Sequence, residues 1–250
     1  MENQLQDLAL SGVKWELNEM AFGQVQADID SGAFVRPTER TRVSSSVVPP
    51  IAPVVPVSIE TANAMAARPL GTDALLRMIS EFNHPLRAGG TNVVLPNVPQ
   101  NPNGLFVITD IPSNEDDACG RILTGKTGDL FDKMLAAIGT SRDNVAISPL
   151  IFWRTPGGRT PTKNELDLSR PFLNRMIQLL EPKIILTLGT LAAAQVANVD
   201  LMKHHGEMVV LDNDIRVFPI YHPNYMILKP NAKQPVWTVL QNVQNLLKNV

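Results

Sequence analysis

The sequence is almost free of cysteine, since Cys119 is the only one in 250 residues. A single thiol excludes a disulfide framework, and it excludes any zinc or iron–sulfur site that needs several thiolate ligands. A lone cysteine is also a weak argument for a catalytic nucleophile. We therefore expect a protein of a reducing compartment, and the cytoplasm is the simplest such place.

The sequence also lacks a strong charge of either sign and any long apolar run. Its formal net charge is −2 and its isoelectric point is near 6.1, so nucleic acid would have to be held by a local basic patch. No run reaches the roughly 18 to 20 consecutive apolar residues of a membrane span. The start MENQLQDLAL lacks the basic and then apolar character of a secretory signal. We expect a soluble protein without a membrane partner.

Three regions differ in composition. Residues 1–30 hold scattered apolar positions, which predict a short helical element at best. Residues 31–68 are dense in proline, serine and valine, which is typical of a disordered linker. The chain is 44% hydrophobic, which is enough for one core, and we place the folded domain at residues 69–250.

Within residues 69–250, apolar runs alternate with helical patterns. Four short runs predict buried strands: GLFVITD (104–110), NVAISPLIF (144–152), KIILTLGT (183–190) and IRVFPIYH (215–222). Helical patterns cover residues 129–138, 164–180, 190–197 and 236–247, and Thr162 and Glu165 have the spacing of a capping box. This alternation predicts an α/β fold, a three-layer α/β/α sandwich around a central, mainly parallel four-stranded sheet.

The carboxyl ends of parallel strands meet at one edge of a sheet, where ligands of α/β proteins bind. That rule brings together the loops that begin at Asp110, Trp153, Gly189 and His222. We therefore expect the functional site at this edge.

The loop after the first strand carries a string similar to a phosphate-binding loop. GRILTGKT, residues 120–127, has the spacing G-x-x-x-x-G-K-T. A P-loop follows its strand directly, whereas this string begins ten residues after Asp110. Nucleotide binding through Lys126 and the helix start near Thr127 stays as a third alternative.

Three blocks, in this order and at these separations, resemble the bacterial family-four uracil-DNA glycosylases. They are GRILTGKTGDLFDKMLAAIG, WRTPGGRTPTKNELDLSRPFLNRMIQLLEPKIILTLGTLAA and PIYHPNYMILKPNAKQPVW. The resemblance covers about residues 72–250. It implies a uracil-DNA glycosylase-like fold and hydrolysis of the N-glycosidic bond of uracil in DNA, as in base excision repair. In such enzymes, the Walker-like string is the glycine-rich turn beside the uracil pocket.

The resemblance assigns catalytic roles to two residues. Such a site must hold a flipped-out base, stabilise negative charge on the uracil oxygen and orient water or balance the sugar cation. His222 matches the family's histidine, which donates a hydrogen bond to uracil O2 as charge develops. Asp110 matches a glutamate of the family's Gly-Glu-Ala-Pro-Gly loop, but it is one methylene shorter and therefore farther from water or sugar.

Other pocket positions depart from the family. The matching loop is TDIPS (109–113), in which Pro112 is kept while Thr109 and Ser113 replace glycines. Leu123 replaces a stacking phenylalanine. Pro149 replaces an asparagine that reads uracil, so its amide is lost. We expect the substrate to contact Pro112, Leu123 and Pro149.

The iron–sulfur cluster of the family is not expected here. Four cysteines hold it in the family, and the matching positions are Glu81, His84, Trp153 and Ser169. One histidine without thiolates cannot retain such a cluster. We predict no metal and no other cofactor, with Trp153 as apolar packing in the vacated space.

Contacts to DNA are expected around the pocket. Asn224, Tyr225 and Met226 match the loop that presses into the duplex where the base leaves. Basic side chains near the same edge are candidates for phosphate contacts: Lys126, Arg154, Arg159, Lys203, Lys229 and Lys233. We expect the partner to be uracil-containing DNA, single- or double-stranded, bound by a monomer.

Two functions of different classes remain open beside nucleotide binding. The first is a DNA glycosylase, a hydrolase acting on N-glycosyl bonds. The second is a catalytically degenerate relative that binds DNA or a protein through the same edge. The altered positions Asp110, Leu123 and Pro149 are the reason to keep the second.

Overall fold

A computed structural model describes residues 57–211 and 213–248. The expected N-terminal helical element and most of the expected linker lie outside these residues. The described part is built on a sheet with strand order β2-β1-β3-β5-β4. The strands are β1 (Leu105–Thr109), β2 (Ala146–Pro149), β3 (Ile184–Leu188), β4 (Val209–Val210) and β5 (Arg216–Ile220).

The sheet is parallel except at one edge. β1 pairs in parallel with β2 and β3, and β3 pairs in parallel with β5. β4 pairs antiparallel with β5. The predicted parallel α/β/α sandwich is confirmed, but the expected count of four strands was one short because a two-residue edge strand has no alternation to detect.

Helices cover both faces of this sheet. Their bounds are α1 Ile59–Ala67, α2 Thr72–Glu81, α3 Asn114–Cys119, α4 Gly125–Ala137, α5 Lys163–Leu180, α6 Thr190–Ala192, α7 Leu201–His204, α8 Pro223–Leu228 and α9 Lys233–Leu247. A single π-helical turn, Ala193–Ala197, extends α6, and 3₁₀ turns occur at Pro85–Gly89, Pro156–Gly158 and Pro230–Ala232. None of the helices in residues 57–211 and 213–248 has both the length and the apolar character of a transmembrane segment.

Alternate residues of the strands separate two apolar cores. Phe106 and Ile108 of β1 join the core under α1, α2 and α5, while Leu105 and Val107 join the core under α4 and α9. This is the expected period of two for a strand that is buried on both faces. The sheet is therefore the middle layer, and its carboxyl edge is left to the connecting loops.

The expected linker extends too far along the chain. Residues 59–67, which we assigned to it, form α1, and Ser58 caps this helix by accepting the Thr61 N–H at 3.2 Å. Ala62 and Ala66 are buried, and α1 packs on α5. Small alanines allow close helix packing but give a weak hydrophobic signal, which explains why composition alone misses this helix.

Candidate active site

A cavity of about 550 Å³ opens at the carboxyl edge of the sheet. Its size suits a small-molecule or nucleoside-sized ligand. Seven of the residues predicted from the sequence line it: Asp110, Pro112, Leu123, Lys126, Arg154, His222 and Asn224. The rule for parallel sheets therefore brings together the loops after β1 and β5, which lie more than 100 residues apart in sequence.

His222 is the N-cap residue of helix α8, and its ring reaches the end of β1. Its Nδ1 accepts the backbone N–H of Asn224 at 3.2 Å, and Pro223 occupies the first helical position. Its Nε2 lies 3.0 Å from Oγ1 of Thr109, the last residue of β1. Burial lowers the pKa of His222 to about 4, against an opposing effect of the nearby Asp116 carboxylate. The ring is therefore neutral at pH 7, and its proton is on Nε2 because Nδ1 is an acceptor.

Asp110 follows β1 directly and is held by the start of α6. Its Oδ1 accepts the backbone N–H of Ala192 at 2.7 Å. Burial raises the pKa of Asp110 to about 6, although backbone hydrogen bonds from Ala192 and Leu191 oppose that rise. The carboxylate also explains Gly189, which has φ +106°, because a Cβ at that position would collide with it. At pH 7 the cavity thus has a neutral imidazole donor and a mostly ionised, buried carboxylate.

A second buried carboxylate, Asp116, was missed in the sequence interpretation. It closes a capping box with Ser113 at the start of α3 and also accepts the N–H and hydroxyl of Thr124, each at 2.7 Å. Asp116 therefore connects the first turn of α3 to Thr124, the residue before α4, by hydrogen bonds. The S-x-x-D spacing in SNED was the local signal that could have found it.

The Walker-like string does not form a P-loop. Gly120 ends α3 with φ +64°, and α4 begins at Gly125, so a helix rather than a strand precedes the string. Leu123 has φ +53° and is buried at the cavity, with its carbonyl bound by an Arg142 N–H at 2.6 Å. Gly128 is needed because a Cβ there would strike that carbonyl. The role of this string is therefore to hold the Leu123 side chain as an apolar wall of the cavity.

Comparison with known proteins identifies the family. A model of the uracil DNA glycosylase superfamily matches residues 96–244, which is more than half of the chain. The chain belongs to the uracil-DNA glycosylase superfamily. The match includes both loops that carry Asp110 and His222.

Several relatives are type-4 uracil-DNA glycosylases, which confirms the resemblance to family four. The one from Sulfurisphaera tokodaii is 30% identical over 140 residues, covering 52% of this chain and 64% of the relative. Those from Thermotoga maritima and Archaeoglobus fulgidus are 30% and 27% identical over 146 and 153 residues, covering 57% and 58% of this chain. Each of these two alignments covers 76% of the relative. The chain therefore spans slightly less than two thirds of the first relative and about three quarters of the other two.

The four positions that match the cysteines of family-four glycosylases do not fit an iron–sulfur cluster. Glu81 is exposed, while His84, Trp153 and Ser169 are buried. Both ring nitrogens of His84 are engaged, since Nδ1 accepts the Leu86 N–H and Nε2 lies 3.1 Å from the Glu165 carbonyl. Cys119, the only thiol, is exposed on α3. Within residues 57–211 and 213–248, no group of three or more metal-binding side chains occurs.

Aromatic packing fills this region of the glycosylase fold. The rings of His84 and Trp153 stack 4.7 Å apart at 8°, and Phe82 lies 4.9 Å from Phe172 beside them. Trp153 has no exposed surface. The expected role of Trp153 in apolar packing agrees with this arrangement.

Two of the contacts predicted from the sequence do not lie at the cavity. Met226 is 1% exposed and belongs to the core under α4 and α9, so it is not a wedge. Residues 223–228 form a helix rather than an open loop, and this turns Asn224 and Ile227 to the cavity and Met226 inward. Pro149 is buried at the end of β2 in register with Thr109 and does not line the cavity.

Tyr225 is in contact with a second aromatic ring. Its ring centroid lies 5.0 Å from that of Tyr221, which itself stacks on His205 at 4.0 Å. Tyr225 is 38% exposed, and Leu228, which the sequence interpretation did not single out, is 69% exposed. This surface of α8 presents an aromatic ring and an aliphatic side chain to solvent.

Four of the six predicted basic contacts fall into two groups, arginines that are paired and lysines that are not. Arg159 forms a bidentate ion pair with Glu165, at 2.9 and 2.6 Å, which lowers the pKa of Glu165 to about 2. Arg154 pairs with Asp117 at 3.3 Å. Lys126 and Lys229 are exposed, and neither has an ion pair with another residue in the described part of the chain. The arginines therefore organise the protein itself, whereas these two lysines are free to meet an anion.

Proposed function

We propose that this protein is a uracil-DNA glycosylase that hydrolyses the bond between uracil and deoxyribose in DNA, the first step of base excision repair. The observation that carries the proposal is the pairing of a neutral His222, with its proton on Nε2, and the buried carboxylate Asp110 at one cavity. The names of its type-4 relatives support the same activity.

His222 supplies the hydrogen bond that stabilises the leaving group. When the bond between C1′ and N1 breaks, both electrons stay on uracil and negative charge spreads to O2. A neutral imidazole N–H directed at that oxygen strengthens its bond as the charge grows, so it favours the transition state over the ground state.

Asp110 acts on the sugar side. Its carboxylate stabilises the cationic sugar and orients the water whose oxygen bonds to C1′. Ala192 fixes this carboxylate through its backbone N–H, so the shorter side chain is preorganised although it reaches less far than glutamate. We propose that no iron–sulfur cluster takes part in the folded enzyme, because the four matching positions offer no thiolate.

DNA reaches the cavity with the target base rotated out of the stack. Lys126 and Lys229 contact phosphates. Arg154 and Arg159 contribute less, because their charges are already paired with Asp117 and Glu165. Asn224 lines the cavity, and the exposed ring of Tyr225 stacks on an adjacent base. We propose that the protein acts as a cytoplasmic monomer, which size-exclusion chromatography coupled to light scattering tests.

One observation favours the second candidate function, a degenerate relative that binds DNA without cleaving it. Nε2 of His222 already has a partner, the Thr109 hydroxyl at 3.0 Å, where the family's loop has glycine. A protein that cannot release this bond would bind DNA only.

Excision from a uracil-containing single-stranded oligonucleotide tests the proposal. Alkali breaks the strand wherever a base has been removed, and we expect breaks with the wild-type protein. His222→Ala should lower the single-turnover rate by about 10²- to 10³-fold, as does loss of an oxyanion donor. His204→Ala is the matched control, because the His204 side chain is 44% exposed and, among the described residues, its ring pairs with Glu207 alone.

The alternative outcome is also specific. If the wild-type protein in excess produces no breaks but binds the oligonucleotide in a salt-sensitive manner, the DNA-binding relative is correct. If the protein hydrolyses ATP and Lys126→Ala abolishes this activity, the third alternative, nucleotide binding, replaces both the glycosylase and the DNA-binding function.

A further inference from the structure

The contact between Thr109 and His222 is unusual for a donor that must serve a substrate. Thr109 is 1% exposed at the end of β1 and is not among the residues that line the cavity. Nε2 of His222 lies 3.0 Å from this hydroxyl, although the His222 side chain borders the cavity. The donor atom is therefore already satisfied inside the protein.

The direction of this hydrogen bond follows from the other side of the ring. Nδ1 accepts the Asn224 N–H, so the neutral ring carries its proton on Nε2. Nε2–H therefore donates, and Oγ1 of Thr109 accepts. No other described side chain or backbone group shares the Thr109 hydroxyl, whose single hydrogen bond is the one to His222.

We propose that Thr109 is a positioning residue that holds the Nε2–H of His222 away from the substrate until a uracil oxygen displaces its hydroxyl. The proposal rests on the glycosylase function above. A neutral carbonyl competes with the hydroxyl on nearly equal terms. A uracil oxygen that is becoming an anion forms a charge-assisted hydrogen bond that is roughly twice as strong. It therefore replaces the Thr109 hydroxyl as the acceptor of the His222 Nε2–H.

Two consequences follow from this competition. Thr109 slows excision, because breaking its hydrogen bond becomes part of the barrier. It also makes the donor available chiefly to a leaving group that becomes strongly negative, which disfavours attack on bases that develop less charge on this oxygen. A glycine at this position, as in the family's loop, would leave the donor free.

Removal of the acceptor without loss of shape tests the proposal. Thr109→Val keeps the branched side chain but has no oxygen, and we expect its single-turnover excision of uracil to be about 3- to 10-fold faster than wild type. Thr109→Ser retains the hydroxyl and should be slower than Thr109→Val. The gain should vanish in a His222→Ala background, because Thr109 acts only through that ring.

A lower rate for Thr109→Val than for wild type, in a protein with an unchanged unfolding temperature, would overturn the proposal. A lower rate would mean that the Thr109 hydroxyl helps excision, for example by donating its own hydrogen bond to the base. A gain that persists in the His222→Ala background would also overturn it, since Thr109 would then act on the backbone or the substrate.

A second measurement does not depend on catalysis. Proton–nitrogen correlation spectra of the full-length protein should show His222 with its proton on Nε2, and this proton should exchange with water more slowly in wild type than in Thr109→Val. Equal exchange rates, or a proton on Nδ1, would refute the proposal. If no variant excises uracil, the proposed function fails, while these spectra still decide whether Thr109 holds the Nε2 proton of His222.

Discussion

Asp110→Asn should stabilise the protein while it disables the site. Burial raises the pKa of Asp110 from its ordinary value of 3.8 to about 6, so ionisation of this group costs the folded state roughly 3 kcal/mol at pH 7.5. Asparagine keeps an oxygen in place for the Ala192 N–H but carries no charge.

The sign of the pH dependence follows from the same two pKa values. Below about 3.8 both folded and unfolded Asp110 are protonated, and above about 6 both are ionised and the full cost is present. Between these values the folded state binds more protons, so the contribution of Asp110 to stability falls as the pH rises. Urea unfolding of both proteins at pH 4.5 and 7.5 measures this effect.

The stability advantage of Asp110→Asn should grow by about 2 kcal/mol from pH 4.5 to 7.5. His222 titrates with the opposite sign in this range, because burial lowers its pKa, but its contribution is common to both proteins. Asp129→Asn, at an exposed position of α4, controls for the change in net charge. A difference that does not grow with pH would refute the assignment of Asp110 as a buried, costly carboxylate.

Three further changes test the surface and the core. Tyr225→Ala should weaken single-stranded DNA binding by about 1 to 3 kcal/mol if its ring stacks on a base, and Tyr225→Phe should retain the affinity; equal losses in both variants would contradict stacking. Lys229→Ala should reduce the slope of log affinity against log salt by about 1, as expected for one lost phosphate contact, and an unchanged slope would exclude that contact. Trp153→Ala should lower the free energy of unfolding by about 3 to 5 kcal/mol, with no iron in either protein by elemental analysis; stoichiometric iron or absorption near 400 nm would contradict the packing role of Trp153.

The local patterns of the sequence were sufficient for the four parallel strands and for the edge of the sheet at which the candidate site lies, but not for the antiparallel strand β4. Each parallel strand is mostly apolar and buried, and the capping box of Thr162 and Glu165 starts α5 as expected. Strand ends are local features, and the geometry of parallel sheets then places Asp110 and His222 at one edge without further information. The resemblance in the blocks around them supplied the chemistry.

The direction of each side chain was decided only by the tertiary structure. Met226 turned inward because α8 is a helix packed on the core, and Arg159 was taken up by Glu165 within the folded chain. The contact between Thr109 and His222 joins residues 113 positions apart. Sequence patterns report which residues prefer burial or a strand, whereas a hydrogen-bond partner depends on where two distant backbones meet and how each is rotated. The chemical types of the proposed catalytic groups could therefore be predicted from the sequence, whereas the hydrogen bonds that these groups already make were decided by packing.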